Sequence, residues 1–436
     1  MGLTKEKTKG ITTVIKHIGL FCGLLLMLWL LLVFSAMIPN EELQDNFVKS
    51  AESYNDVAPF HFCDGDKWYG IADNYADSIL LNVAWHMGNG NPFHASIDTD
   101  YYIGDEEGNR EGLYLSVTEG AEPNTDYTRY WHGSVMFLRP LHLFTDVDGI
   151  KKIGVGVLLV LIALTAVMLI RAKHTDLAVL LVLSMLAVHV WNLQLSLEYQ
   201  PAFLVTFLLC PLYLWQERKG DIRLTMLSVA GGTMVAFFDF LTTETMTLLI
   251  PLILVVAVRA KEGRLAPMRE SVVLLVKCGL CWGLSYAGAF LVKWIVASLV
   301  TGENEFLTAV TSAAERLGGE VVLKADPPNS IFSSIAANLT VLFGGTERVE
   351  VGRVLIGVLL YIGILLSVWY LFRTKETENA ALLLLLLGAV VFLRYLVVNN
   401  HSYLHEFFTY RALAAPILAT LVALRLNIRL PGKRKP

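Results

Sequence analysis

The feature that most constrains this chain is a series of apolar runs, each near the length that crosses a bilayer: 17–38, 153–171, 176–193, 201–216, 223–239, 243–258, 270–300, 352–372, 380–398 and 407–425. A span needs about 20 mostly apolar residues. Within hydrocarbon every backbone N–H and C=O must be satisfied inside the protein, which leaves helices or a closed barrel. Continuous apolar runs of this length read as helices, so the expected fold is an all-α polytopic membrane protein of about ten transmembrane helices. Composition agrees, with 55% hydrophobic and 17% charged residues. The first run lies where a secretory signal would, but it is long and is followed by Ile38-Pro39-Asn40 instead of small residues, so it is expected to be retained.

Orientation follows from the Lys and Arg residues between the runs. With the N-terminus cytoplasmic, segments 1–16, 171–175, 216–223, 258–269, 373–379 and 425–436 face inward and hold 20 of the 35 basic residues. Both termini are then cytoplasmic and the protein sits in the plasma membrane. The segment 39–150 faces outward with 20 acidic against 5 basic residues. The chain divides into 1–38, the cytoplasmic start and first span; 39–150, a large outer loop; 151–300, spans two to seven; 301–351, a second outer segment; and 352–436, spans eight to ten with a basic tail. Cys63 is the one cysteine outside the spans, so no external disulfide framework is expected. The charge pattern offers no basic surface for nucleic acid.

A loop of this size exceeds the usual connector and must be structured. Residues 72–86 read as an amphipathic helix lying on the membrane surface, with Tyr75, Ile79, Val83 and His86 on one face and Asp73 and Asp77 on another. The stretch "YYIGDEEGNREGLYLSV" reads as a small hairpin, and "YTRYWHGSVMFLRPLHLF" as a helix docked at the interface. In the second outer segment, 304–316 is amphipathic, "ADPPNS" is a turn, and 331–343 is apolar.

Ionisable residues in or beside spans are functional candidates. They gather toward the outer side: Lys293, Arg394 and Arg411 in the spans, Asp239 and Glu244 in "AFFDFLTTETM", and Asn400, His401, His405 and Tyr410 in "VVNNHSYLHEFFTYRALAAP". The loop adds Asp45, Asp73, Asp77, His132 and Arg139. Asp73 reads equally as a helix N-cap, and Glu244 as a first-turn acid. His401 and His405 have the spacing of a metal pair but no clear third ligand, so no metal residue is assigned. No cofactor is called for, with a divalent cation left as the one option. A carboxylate beside an outer cavity would serve as a general base while a nearby cation stabilises a departing phosphate. Asp77, Asp45 and Asp239 are the candidates for the base; the other polar residues named would bind substrate.

The short cytoplasmic start, one span, a large acidic outer loop, then many spans and a late outer segment resemble the GT-C class of membrane glycosyltransferases. "YADSILLN", "RYWHGSVMFLRPL", "FFDFLTTE" and "NHSYLHEFFTYRAL" are similar to stretches in multi-spanning proteins of Gram-positive bacteria associated with that class. The resemblance implies a polyprenyl-phosphate sugar donor and an envelope glycan, lipid or protein acceptor, joined on the outer face with inversion. The class usually carries an Asp-Glu or Glu-Asp pair soon after span one, where this chain has "EELQD". The readings that compete are a transporter or flippase of an envelope lipid or polymer, and a non-catalytic membrane protein.

Overall fold

The computed structural model describes residues 2–55, 57–104, 108–317, 330–374 and 380–429. Among them, eight helices are long and apolar enough to cross a membrane: Gly10–Ala36, Val147–Arg171, Leu197–Lys219, Asp221–Phe238, Met268–Thr301, Val351–Phe372, Ala380–Val397 and Glu406–Leu426. The chain is thus a helical protein suited to a bilayer. These helices match eight of the ten expected runs. The other two runs form helices shorter than any of these eight. Thr175–Ala187 stops early because His189 turns the chain at φ 54° into a 3-10 segment, Val190–Leu195. Met246–Lys261 has 16 residues and contains Pro251.

Polar connections sort to two ends of the bundle. At one end Glu217 and Glu262 are clamped by Arg218, Arg259 and Arg264, with Arg264 2.7 Å from Glu217, and His174 reaches Glu262 at 3.2 Å. Asp176 there pairs with Arg425 at 2.8 Å. At the other end the segment after the first helix folds over the bundle. Trp131 Nε1 donates to Ala289 O at 2.9 Å, Asn192 Nδ2 to Tyr69 O at 3.1 Å, and Lys67 Nζ to Gly344 O at 2.9 Å. We call these the basic end and the loop end.

The loop end is built from helices Asn40–Asn55, Asn74–His86, Asn109–Thr118 and Val135–His142. Three expectations change here. The hairpin is not formed: Asp100–Tyr101 pairs instead with Thr125–Asp126, and "NREGLYLSVT" is helical because Leu113 and Val117, four apart, share a buried face. The helix Asn74–His86 does not lie on a surface. Helices Asn109–Thr118 and Val135–His142 cover it, burying Asp77 and Ile79 through His86 and leaving Tyr75 42% exposed. Within 127–144 only Val135–His142 is an α-helix, since His132 sits at φ 51° and Tyr130 and Trp131 turn into the core. The amphipathic stretch 304–316 does form a helix, Glu305–Leu317. The turn expected at "ADPPNS" lies, except for Ser330, outside the described residues.

Candidate functional site

Helix Asn74–His86 starts where Asp73 accepts from Ala76 N at 2.9 Å, the N-cap that its short side chain suits. One turn on, Asp77 is fully buried and has no vacant lone pair. Its Oδ1 accepts from Ser196 Oγ at 2.7 Å and Leu197 N at 2.8 Å; its Oδ2 accepts from Tyr54 Oη at 2.9 Å and pairs with Lys151 Nζ at 2.8 Å. Four donors satisfy a carboxylate completely. Asp77 therefore ties together the helix Asn40–Asn55, the start of Val147–Arg171 and the 196–197 connection.

Asp73 is different. Its Oδ2 has no donor among the described residues. Burial pushes its carboxyl up to about 7, with Asp77 adding to the rise while Ala76 N and Lys151 oppose it. Glu198 lies within electrostatic reach of Asp73, Asp77 and Asp239. Asp239, just past the end of Asp221–Phe238, accepts from Thr242 N at 2.9 Å and from the Thr242 hydroxyl. Burial first, then Glu244, raises its carboxyl to about 7. Leu241 in this connection holds φ 66°, an unfavourable conformation for a bulky residue. Its carbonyl is gripped by Arg394 and, at 3.0 Å, by His401 Nε2. The structure thus brings Asp73, Asp77 and Asp239 into one neighbourhood and adds Glu198.

The two cations expected together have unlike surroundings. Arg394 forms a buried pair with Glu244 at 2.9 Å and donates to Ser402 Oγ at 2.8 Å. Arg411, 1% exposed, has no carboxylate partner among the described residues. Its donors reach Phe407 O at 3.2 Å and Tyr69 O at 3.4 Å, the Tyr410 side chain lies beside it, and Nε has no partner. The guanidinium lies 4.4 Å from the Tyr199 ring centroid, and Tyr199 also feels Asp73, Asp77 and Glu198. Tyr199 is the junction between acids and cation. Tyr410 Oη donates to Val188 O at 3.1 Å and meets His189 Nδ1 at 3.2 Å; His189 stacks on Tyr69 at 4.0 Å.

No family model, curated protein or solved structure matches this chain.

The remaining expected residues are scattered or committed elsewhere. Asp45 is exposed on Asn40–Asn55. Arg139 is fully buried and donates to Ser35 O, Ile38 O, Asn40 Oδ1 and Ala84 O, clamping the ends of two helices. Lys293 is buried with its ammonium on Ile97 O. His132 Nε2 donates to Tyr127 O at 2.9 Å inside a cage of Tyr127, Tyr130 and Phe240, and burial lowers it to about 3, so it stays neutral. His401 and His405 stand with ring centroids 4.6 Å apart, next to the buried Asn400, and His405 stacks on Phe408. Sequence reasoning missed Glu198, Lys151, Tyr199 and His189. The signal for Glu198 was present: "NLQLSLEYQ" places a lone acid between two apolar runs, on the side expected to carry the large loop.

Proposed function

We propose that this protein is a membrane glycosyltransferase that moves a sugar from a polyprenyl-phosphate donor to a cell-envelope acceptor at the loop end, outside the bacterial plasma membrane. The observation that carries the reading is Arg411. A buried guanidinium without a carboxylate costs several kcal/mol, and a lipid phosphate would satisfy its fork with paired hydrogen bonds. Asp73, whose charge also reaches Tyr199, is the base. Asp77, one of the three candidates for that role in the sequence, is better suited to holding Asp73 in place, because all its lone pairs are engaged.

In this reading the acceptor hydroxyl loses its proton to Asp73 Oδ2 as its oxygen attacks the anomeric carbon. The bond from that carbon to the phosphate oxygen breaks, the configuration inverts, and the electron pair leaves with polyprenyl phosphate. Arg411 neutralises the charge that develops there. The test is transfer from a polyprenyl-phosphate sugar by the purified protein in nanodiscs. Asp73→Asn should abolish transfer while keeping the melting temperature, since Asn also caps helices. Transfer at the wild-type rate by Asp73→Asn overturns the assignment of the base, and failure of any polyprenyl-phosphate to stabilise the wild type overturns the class of donor.

A further inference from the structure

A second acidic group lies at the loop end, in a place the proposed reaction does not use. Asp98, Asp100 and Asp126 hold carboxylate oxygens within 4.8 Å of one another. Asp100 and Asp126 are direct partners across the two-residue ladder. Like charges in that position repel, and among the described residues no Lys or Arg forms an ion pair with either. Backbone and hydroxyl groups fix the acids in place: Thr128 N donates to Asp126 Oδ1 at 3.0 Å, and Thr128 Oγ1 to Asp98 Oδ1 at 3.2 Å.

Two buried polar groups beside the cluster lack partners. Glu305 is 5% exposed, its Oε2 is buried with no hydrogen bond, and its carboxylate feels Asp126 and Asp98. The nearby Lys293 opposes this only through space, because its ammonium is turned to Ile97 O and makes no ion pair with Glu305. His86, 8% exposed, lines with Asp98 and Asp100 a cavity of about 180 Å³. Ser116 Oγ donates to Asn82 Oδ1 at 3.4 Å and so accepts from His86 Nε2 at 3.1 Å. That arrangement leaves His86 Nδ1 as a lone pair without a donor.

We infer that Asp98, Asp100 and Asp126 bind a divalent cation of the calcium class, with Glu305 completing the charge and a metal-bound water donating to His86. The donor set is hard oxygen, which selects Ca²⁺ or Mg²⁺ over Zn²⁺. Metal–oxygen distances of about 2.4 Å allow ligands up to about 4.8 Å apart across Ca²⁺, whereas those of about 2.1 Å limit Mg²⁺ to about 4.2 Å. The three carboxylates fit across Ca²⁺ however they are placed within that limit, and Ca²⁺ also accepts an irregular set of protein oxygens where Mg²⁺ holds to an octahedron and keeps its waters. Bound there, it fastens the segment around Asp98–Asp126 to the helix Glu305–Leu317.

Binding is read without turnover, so this inference stands or falls apart from the transferase reading. Full-length protein in nanodiscs is stripped with EDTA and titrated with CaCl₂, following melting temperature, and with Tb³⁺, whose luminescence Tyr101 and Tyr127 would sensitise. The expected result is a rise of several degrees with Ca²⁺ and a Tb³⁺ signal that Ca²⁺ displaces. The double variant Asp100→Asn, Asp126→Asn should lose both responses and, in EDTA, melt no lower than the wild type, because the substitution removes a repulsion. A wild type indifferent to Ca²⁺ overturns the site. So does a double variant that melts lower in EDTA, since the acids would then serve the fold without an ion. An equal effect of Mg²⁺ overturns the calcium class.

Discussion

Asp73 and Asp77 sit one helical turn apart, and their surroundings give them separate roles. Removing the charge of Asp77 leaves Lys151 buried without a counter-ion, which for such pairs costs about 3–5 kcal/mol. Asp77→Asn should therefore fold poorly or melt far lower, and Asp77→Leu combined with Lys151→Met should recover much of the loss; equal melting of single and double variants would show that the pair is not coupled. Asp73 makes the opposite prediction. Its carboxyl is raised in the fold from 3.8 to about 7, so the folded state holds a proton that the unfolded chain has released. Stability from this group is full below about pH 4 and is lost as pH rises through about 7. Asp73→Asn should flatten that part of the melting profile between pH 5 and 8, while the wild type loses stability across it. The same titration makes the proposed base competent only above about pH 7, so transfer by the wild type should climb through that range.

At the scale of elements, sequence reading succeeded where apolar length decides the outcome and failed where partners come from distant segments. The long spans are legible because the bilayer imposes helices. Asn74–His86 is legible as a helix, but its burial is not, since the helices that cover it, Asn109–Thr118 and Val135–His142, come later in sequence and its spacing looks like that of a surface helix. Arg139 illustrates the same limit: an interfacial Arg and a clamp look alike until Ser35, Ile38 and Ala84 present carbonyls to it. Helix C-termini leave such carbonyls unsatisfied, and one guanidinium here serves the ends of Gly2–Ala36 and Asn74–His86 together. Arg139→Met should loosen both helix ends and lower the melting temperature. Arg139→Lys should recover only part of it, because an ammonium cannot span the fork. A melting temperature unchanged in Arg139→Met would mean that the clamp contributes nothing.

Across the whole molecule, the separation of the two ends gives the chemistry its setting. The basic end concentrates Arg218, Arg259 and Arg264 around Glu217 and Glu262, and the acidic cavity and Arg411 lie at the other end. Positive charge retains segments in the cytoplasm, so the loop end is expected outside. That placement restricts the donor, because a sugar activated on a soluble nucleotide is confined to the cytoplasm and only a lipid-linked one reaches the far side. Cys63 offers a test without fusion reporters: it is exposed at the loop end, whereas Cys22, Cys210, Cys278 and Cys281 lie within membrane helices. A membrane-impermeant maleimide should label intact cells, and Cys63→Ser should abolish that labelling. Labelling of Cys63 that appears only after permeabilisation would put the loop end in the cytoplasm. The uncompensated Arg411 would then face a different pool of phosphates, and a nucleotide-linked donor would become the better match for it.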